Sequence, residues 1–209
     1  LPGDPFDGIL KTAAAIGAGL IVTGSHRKQL LRDIFVGTTI ERVIRTGPFP
    51  VLMVQHEAQR RYDKVLAPID MSEQSASALR VGQAAGLITA TSTTLLHAFL
   101  PVAKGKLFIA DAGPADIDSY VASERQAALG EAGAFLSANG FAPLGLPVRV
   151  EEGTAITVIA RAVEEMRPDL LVMGTHGRSG LLKSLLGSVT EEALRSLNVD
   201  ILVVPPARR

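Results

Sequence analysis

The sequence predicts an α/β fold, an open and mostly parallel β-sheet with helices on both faces, accompanied by a partial second copy of the same unit. Unbroken apolar segments alternate with segments of helical spacing between residues 62 and 206, which is typical of parallel strands buried on both faces. A segment rich in glycine and hydroxyl side chains follows one of these apolar strands. The last third of the unit also recurs near the beginning of the chain.

The first half of the complete unit is predicted to contain two strands and two helices. Residues 64–70 form an apolar strand that ends at an acidic residue, and Ser72 is placed to cap an alanine-rich helix that continues to about residue 87. Residues 93–99 are β-branched and apolar, which favours a buried strand. We expect a polar loop over residues 101–114 and then a helix over residues 116–138.

The second half continues the alternation of strands and helices. Residues 148–150 are predicted to form a short strand, and residues 154–166 a helix, because their apolar side chains recur at helical spacing. Continuous apolar strands are expected at residues 169–174 and 199–204, separated by a glycine-containing loop and a helix over residues 189–197. The crossover connections between parallel strands should be right-handed.

The composition excludes several classes of protein. The 209 residues contain 21 basic and 21 acidic side chains, so the formal net charge is zero, which disfavours a general nucleic-acid or acidic-membrane binder. Cysteine is absent, which excludes disulfides, thiolate catalysis and cysteine-based zinc sites and fits a cytoplasmic location. No apolar run reaches the roughly 18 residues that a membrane-spanning helix needs.

The internal repeat has a period of 150 residues, the length of a whole domain. Residues 20–26 resemble residues 170–176, and the same displacement aligns the apolar residues 51–54 with residues 201–204 without a gap. We therefore predict three parts. They are the C-terminal part of a first domain at residues 1–55, a polar linker at residues 56–61 and a complete domain at residues 62–206. The beginning of the first copy is expected to precede residue 1, since residues 1–55 match only the last third of the unit.

The candidate binding chemistry is concentrated in the segment from Gly174 to Thr190. Gly174 and Gly177 allow a ligand to approach the backbone closely because neither residue has a β-carbon. Gly187 and Ser188 are predicted to open a helix whose unpaired N–H groups and positive dipole end favour an anion. The segment is therefore predicted to hold phosphate groups.

Polar side chains extend this predicted phosphate site. Arg178 supplies a positive charge, and the hydroxyls of Ser188 and Thr190 can donate hydrogen bonds to phosphate oxygens. Ser188 and Glu191 also have the spacing of a capping box. His176 either contacts phosphate or holds the loop through hydrogen bonds.

Two further polar residues lie at the ends of predicted strands. Asp70 would repel phosphate, so we assign it to ribose hydroxyls or to a Mg²⁺ ion, with a turn or capping role as the alternative. His97 ends a buried strand and is interpreted as a hydrogen-bonded core histidine. The chain has no Gly-Lys-Ser/Thr sequence, so the glycine segment is not a Walker A loop, and it does not match the dinucleotide-binding fingerprint either.

With these residues in place, the sequence resembles the universal stress protein family. The spacing Gly, two residues, Gly, nine residues, Gly-Ser/Thr is that family's ATP-binding pattern, and the resemblance extends over residues 62–205. It implies an open sheet of five parallel strands of the Rossmann type (adenine nucleotide alpha-hydrolase-like), and it implies bound ATP, with Mg²⁺ as a possible companion. Ala98 and Met173 would contact the adenine or its sugar through their backbones. The residues assigned to the nucleotide are Pro68, Asp70, Ala98, Met173, Gly174, His176, Gly177, Arg178, Gly187, Ser188, Val189 and Thr190.

The first copy departs from the family pattern. Gly24, Gly37 and Thr38 are present, but Arg27 replaces the middle glycine, and its side chain would project into the position of close approach. We therefore expect only the complete domain to bind a nucleotide. The first copy is expected to have a structural role.

The resemblance also bears on assembly and function. In the family the last strand pairs antiparallel with that of a partner, which predicts either an intrachain pseudo-dimer or a homodimer through residues 51–54 and 201–204. The leading interpretation is an ATP-binding regulatory protein of stress responses. The alternatives are a slow ATPase and a ligand-free structural dimerisation module.

Overall fold

One β-sheet organises the protein, which the computed structural model describes at residues 4–24, 38–55, 57, 61–175 and 186–206. In these residues the sheet has seven strands in the order β1-β2-β7-β6-β3-β4-β5. The strands are β1 (Ile21–Gly24), β2 (Val51–Val54), β3 (Val65–Pro68), β4 (Thr93–Phe99), β5 (Val148–Glu152), β6 (Leu170–Gly174) and β7 (Asp200–Val204). The helices are α1 (Pro5–Ala15), α2 (Thr38–Thr46), α3 (Glu73–Ala84), α4 (Lys104–Ile109), α5 (Pro114–Ala138), α6 (Ala155–Met166) and α7 (Ser188–Ser196).

The five strands of residues 65–204 form the predicted parallel sheet. β3 pairs in parallel with β4 on one side and with β6 on the other, while β5 and β7 continue the sheet in parallel beyond them. The chain builds outward from β3 through β4 to β5, and then α6 returns it to the other side of β3. The point where the strand order reverses therefore lies around β3, as in other doubly wound sheets.

Alternate residues of each central strand pack on opposite faces of the sheet. Along β6, Leu171 and Met173 belong to the core beneath α6 and α7, whereas Leu170 and Val172 belong to the core beneath α3 and α5. All four side chains are buried, and each contributes roughly 1.5–3 kcal/mol through removal from water. Helices thus cover both faces, which confirms the predicted α/β class and explains why these strands are apolar without interruption.

The strands β2 and β7 join the two repeated parts of the chain. They pair antiparallel, with Leu52 opposite Leu202, and β1 pairs in parallel with β2 outside them. This confirms the predicted intrachain pairing of residues 51–54 with residues 201–204. A homodimer through the same strands would have to open this pairing, and it remains a prediction, as does the division into domains.

Several predicted boundaries were wrong. Residues 101–114 are not a continuous loop, because α4 forms there around Gly105, whose presence favoured a loop. α3 stops at Ala84 rather than near residue 87, since Gly86 adopts a left-handed φ of 70° and turns the chain out of the helix. β5 continues to Glu152 along the edge of β4. Within the described part of the chain, no helix is long and apolar enough to cross a membrane.

A buried carboxylate ties the junction between the two repeated parts. Asp200, which is 5% exposed, accepts hydrogen bonds from the backbone N–H of Gln55 at 2.7 Å and from the Tyr62 hydroxyl at 2.8 Å. The Gln55 side chain donates to the carbonyls of Leu197 and Val199 at 2.9 and 2.8 Å. Gln55, the residue before the predicted linker at residues 56–61, is therefore bound to the end of α7 and the start of β7.

Tyr62 should titrate well above the usual range for tyrosine. Burial, the hydrogen bond to Asp200 and the negative charges of Asp200 and Asp169 raise the pKa of the Tyr62 hydroxyl. The folded state therefore holds this proton more tightly than the unfolded state. We expect its contribution to stability to be complete below about pH 10 and to fall as the pH rises above that value.

The chain is well suited to this measurement because it has two tyrosines and no tryptophan. In a Tyr120→Phe variant the ultraviolet absorbance of tyrosinate reports Tyr62 alone. The midpoint should lie above pH 10 in the folded protein and return to about 10 in urea. Equal midpoints in the two states would contradict the expectation.

Candidate functional site

Residues assigned to the nucleotide converge at one edge of the sheet. Pro68 ends β3, Ala98 lies near the end of β4, and Met173 and Gly174 end β6. Since β4 and β6 flank β3 in parallel, the carboxyl ends of all three strands meet at the same edge. This is the position where the strand order reverses, at which open α/β sheets bind ligands.

Asp70 lies in a tight turn between β3 and α3. Its Oδ1 accepts hydrogen bonds from the Ser72 N–H at 3.1 Å, the Ser72 hydroxyl at 2.5 Å and the Ser75 hydroxyl at 2.6 Å. Met71 between them has a φ of 58°, in the left-handed region. The predicted turn role of Asp70 is thus present, and one carboxylate oxygen is used for it.

Ser75 was not identified from the sequence as part of this turn. Its hydroxyl donates to Asp70, and its backbone N–H donates to the Ser72 hydroxyl at 3.2 Å, which caps α3 as predicted. The spacing Asp-x-Ser-x-x-Ser was a usable signal, because the first turn of a capped helix brings these polar groups together.

His97 connects β4 to the same turn. Its Nδ1 lies 2.9 Å from the carbonyl oxygen of Ile69, the residue before Asp70. The imidazole is half-buried and hydrogen-bonded, in agreement with the interpretation as a structural histidine. Nδ1 donates in this contact because a carbonyl can only accept.

Three hydrogen bonds hold the end of β6, two of them to the start of α7 and one to the end of β7. The Gly187 N–H donates to the Thr175 carbonyl at 2.7 Å, and the Thr175 N–H donates to the Val204 carbonyl at 2.9 Å. The Thr190 hydroxyl, on a buried side chain, donates to the Gly174 carbonyl at 2.8 Å. The Thr190 hydroxyl thus ties α7 to the end of β6, and its contact with phosphate stays a prediction.

The helix start at Ser188 was predicted correctly, but the capping box was not. Gly187 is the N-cap, and no side chain caps it, while Ser188 is the first helical residue and is exposed. A capping box needs a hydroxyl on the N-cap itself, so Ser188 and Glu191 lie one position too late to form it. Among the described residues, no side chain accepts a hydrogen bond from the backbone N–H groups of this first turn.

Several assigned residues lie outside the described part of the chain. They are His176, Gly177 and Arg178 in the complete unit, and Arg27 and Gly37 in the first copy. Their roles stay predictions.

The acidic residues that the structure describes limit how a cation could be held. None of the described residues form a group of three or more metal-ligating side chains. Mg²⁺ is commonly held by one or two carboxylates together with substrate phosphates. Asp70 could supply such a carboxylate only when a bound nucleotide supplies the phosphates.

The comparisons with known proteins agree with this architecture. The model of the universal stress protein family matches residues 1–55 and 61–205. Universal stress protein MJ0577 of Methanocaldococcus jannaschii is 29% identical over 153 residues, which cover 68% of this chain and 94% of that protein. Universal stress protein E of Escherichia coli is 23% identical over 212 residues, which cover 97% of this chain but only 65% of that longer protein.

Solved structures share the fold. A functionally unknown protein, PA1789 from Pseudomonas aeruginosa, superposes with a TM-score of 0.68 at 23% identity, covering 98% of this chain and 69% of the other. The structure of MJ0577 superposes with a TM-score of 0.57 at 24% identity, covering 72% of this chain and all of that one (100%). Because the family model matches residues 1–55 and 61–205, nearly the whole chain, the chain belongs to the universal stress protein family.

Proposed function

We propose that this chain is an ATP-binding regulatory protein of the stress response, with one nucleotide site at the carboxyl ends of β3, β4 and β6. The observation that carries the proposal is the convergence of Asp70, Ala98, Gly174 and Gly187 at the reversal point of the sheet. Membership of the universal stress protein family, together with the spacing of the glycines, supports ATP as the ligand. Nucleotide occupancy would then alter conformation or partner binding.

The start of α7 is the part of the site best suited to phosphate. Its N-cap is a glycine, and no described side chain accepts from the N–H groups of Ser188, Val189 and Thr190, which lie at the positive end of the helix dipole. Phosphates bind at such helix ends through backbone N–H groups. In the proposal, Gly177 and Arg178 complete this cradle, with His176 beside them.

The other end of the site would hold the nucleoside. Ala98 and Met173 offer backbone groups at the ends of strands that flank β3, where a planar base can lie against the sheet edge. Pro68 and Asp70 lie between them, and Asp70 would contact the ribose hydroxyls or a Mg²⁺ ion. Mg²⁺ would neutralise phosphate charge in such a complex.

A slow ATPase activity at this site is a narrower possibility that the same experiment tests. The Asp70 Oδ1 is already used in the turn before α3, which leaves it poorly placed to activate water. The cytoplasmic location inferred from the absence of cysteine also belongs to the proposal.

Calorimetry with ATP and AMP, each with and without Mg²⁺, tests the proposal. We expect one ATP per chain, because only the complete unit keeps the glycine pattern, and weaker binding of AMP, which lacks the β- and γ-phosphates. Phosphate release should be negligible over the time of the titration. Absence of ATP binding would overturn the proposal, and rapid phosphate release would replace the regulatory role with an enzymatic one.

A further inference from the structure

A cavity of about 580 Å³ opens at the carboxyl end of β5. Arg125 from α5, Arg149 from β5 and Arg161 from α6 line it, with Leu100 at its apolar side. None of its lining residues is among those assigned to the nucleotide. The cavity is therefore a separate feature on the same edge of the sheet.

The charged groups around the cavity leave an excess of positive charge. Glu151, whose side chain is 11% exposed, is shared between Arg149 and Arg161, and Arg161 Nε lies 3.1 Å from its Oε2. Glu165 also pairs with Arg149, and Lys104 Nζ lies 2.6 Å from Glu152. The lining itself has three arginines and two carboxylates, Glu151 and Glu152, so it carries one net positive charge.

Arg125 supplies the unneutralised charge. Its Nη1 donates to the Val150 carbonyl at 3.2 Å, and its guanidinium lies 5.8 Å from the centre of the Phe99 ring. Among the described residues it has no carboxylate partner. A guanidinium has five N–H donors in a planar fork, so this contact leaves donors available to an anion while the ring and the carbonyl orient the group.

The start of α6 adds a second, independent feature. Gly153 lines the cavity and directly precedes Thr154, the N-cap of this 12-residue helix, whose side chain makes no capping hydrogen bond. The Thr154 hydroxyl instead lies 2.8 Å from the hydroxyl of Thr157. Gly153 has a φ of 143°, and a β-carbon there would lie 2.9 Å from Val158, so glycine is required for this turn. An uncapped helix N-terminus beside arginines favours anions.

We propose that this cavity is a second anion site, which binds a small phosphate-bearing molecule separately from the ATP site. Arginine forks match the oxygens of phosphate in a bidentate manner, and the helix N-terminus favours the same charge. The volume exceeds that of a single phosphate and leaves room for an organic group against Leu100.

Titration of the ¹⁵N-labelled chain with pyrophosphate, followed by NMR, tests the proposal. We expect the amides of Val150 to Thr154 to shift and to saturate. Arg125→Gln should weaken this binding about tenfold or more, because a charged bidentate contact is lost. Arg80→Gln is the matched control, since Arg80 lies on α3, where it pairs with Glu73 and Asn139, and it should leave the affinity unchanged.

Several outcomes would overturn the proposal. Unshifted amides at Val150 to Thr154, an unchanged affinity of Arg125→Gln, or equal binding of the dicarboxylate malonate would each contradict a phosphate site here. If circular dichroism shows that Arg125→Gln does not fold, Arg125→Lys is titrated in its place. This variant keeps the positive charge but loses the planar fork of donors, so it should also bind pyrophosphate more weakly. Amide shifts confined to Gly187 to Thr190 would show that pyrophosphate binds at the ATP site and not in this cavity. Amide shifts at the cavity that persist in Gly177→Val would instead show that the two sites are separate, as proposed.

Discussion

Replacing Gly177 by valine is expected to abolish ATP binding while the fold persists. The proposed site needs the backbone at this position to approach the phosphates closely, and a branched side chain would occupy that space. The first copy of the repeat carries Arg27 at the equivalent position, where a side chain is likewise expected to occupy the space of close approach. Calorimetry should show a loss of affinity of about 100-fold or more, equivalent to roughly 2.7 kcal/mol.

A matched control is available in the first copy. Gly24 ends β1 as Gly174 ends β6, and a β-carbon built on Gly24 meets no atom within 4 Å. Gly24→Val should therefore fold and bind ATP like the original chain. Unchanged ATP affinity in Gly177→Val would show that the glycine segment is not the site. Arg27→Gly would restore the middle glycine of the first copy. We do not expect this variant to bind a second ATP, because residues 1–55 contain no counterpart of Asp70.

The second large effect is expected from Asp200→Ala. Asp200 is buried at the start of β7 and accepts hydrogen bonds from Gln55 and Tyr62, which lie on either side of the linker. Its removal leaves two donors without their acceptor in a site with little water. Each such donor costs about 1–3 kcal/mol, so we expect the free energy of unfolding to fall by about 3–5 kcal/mol.

Urea unfolding followed by circular dichroism measures this loss. Tyr62→Phe removes the hydrogen bond from the Tyr62 hydroxyl and should lower the free energy of unfolding by only about 1 kcal/mol. The Asp200 carboxylate still accepts the hydrogen bond from the Gln55 N–H in this variant. Asp63→Ala is the control, because Asp63 is exposed and should change stability by no more than about 0.5 kcal/mol. Equal stabilities of Asp200→Ala and Asp63→Ala would mean that the junction does not depend on this carboxylate.

The alternation of apolar strands with helices could be predicted from residue types alone. Burial on both faces makes β6 and β7 apolar. The repeat places similar residues in β1 and β2, although β1 is partly exposed, with Val22 at 61%. The strands and their copies depend on local periodicity and on self-similarity, both of which are written in the sequence. The antiparallel pairing of residues 51–54 with residues 201–204 was expected from the family resemblance, and Leu52 lies opposite Leu202 in it.

The polar contacts depended on tertiary structure. Thr190 reaches Gly174 and Tyr62 reaches Asp200 only because the packing of strands and helices brings together residues that are 16 and 138 positions apart. A hydrogen bond requires a distance and a direction that residue type does not specify. For the same reason the arginines of the β5 cavity, which come from three different elements, could not be grouped from the sequence.

The sequence by itself thus determined the α/β class, the repeated unit and the glycine segment, because each follows from the spacing of residues along the chain. Only the tertiary structure decided the seven-stranded sheet order and the hydrogen bonds of Asp200 with Gln55 and Tyr62. It also brought the arginines of the β5 cavity together. These features depend on which groups, far apart in the sequence, form hydrogen bonds and ion pairs with one another in the folded chain. The spacing of residues along the sequence does not contain that information.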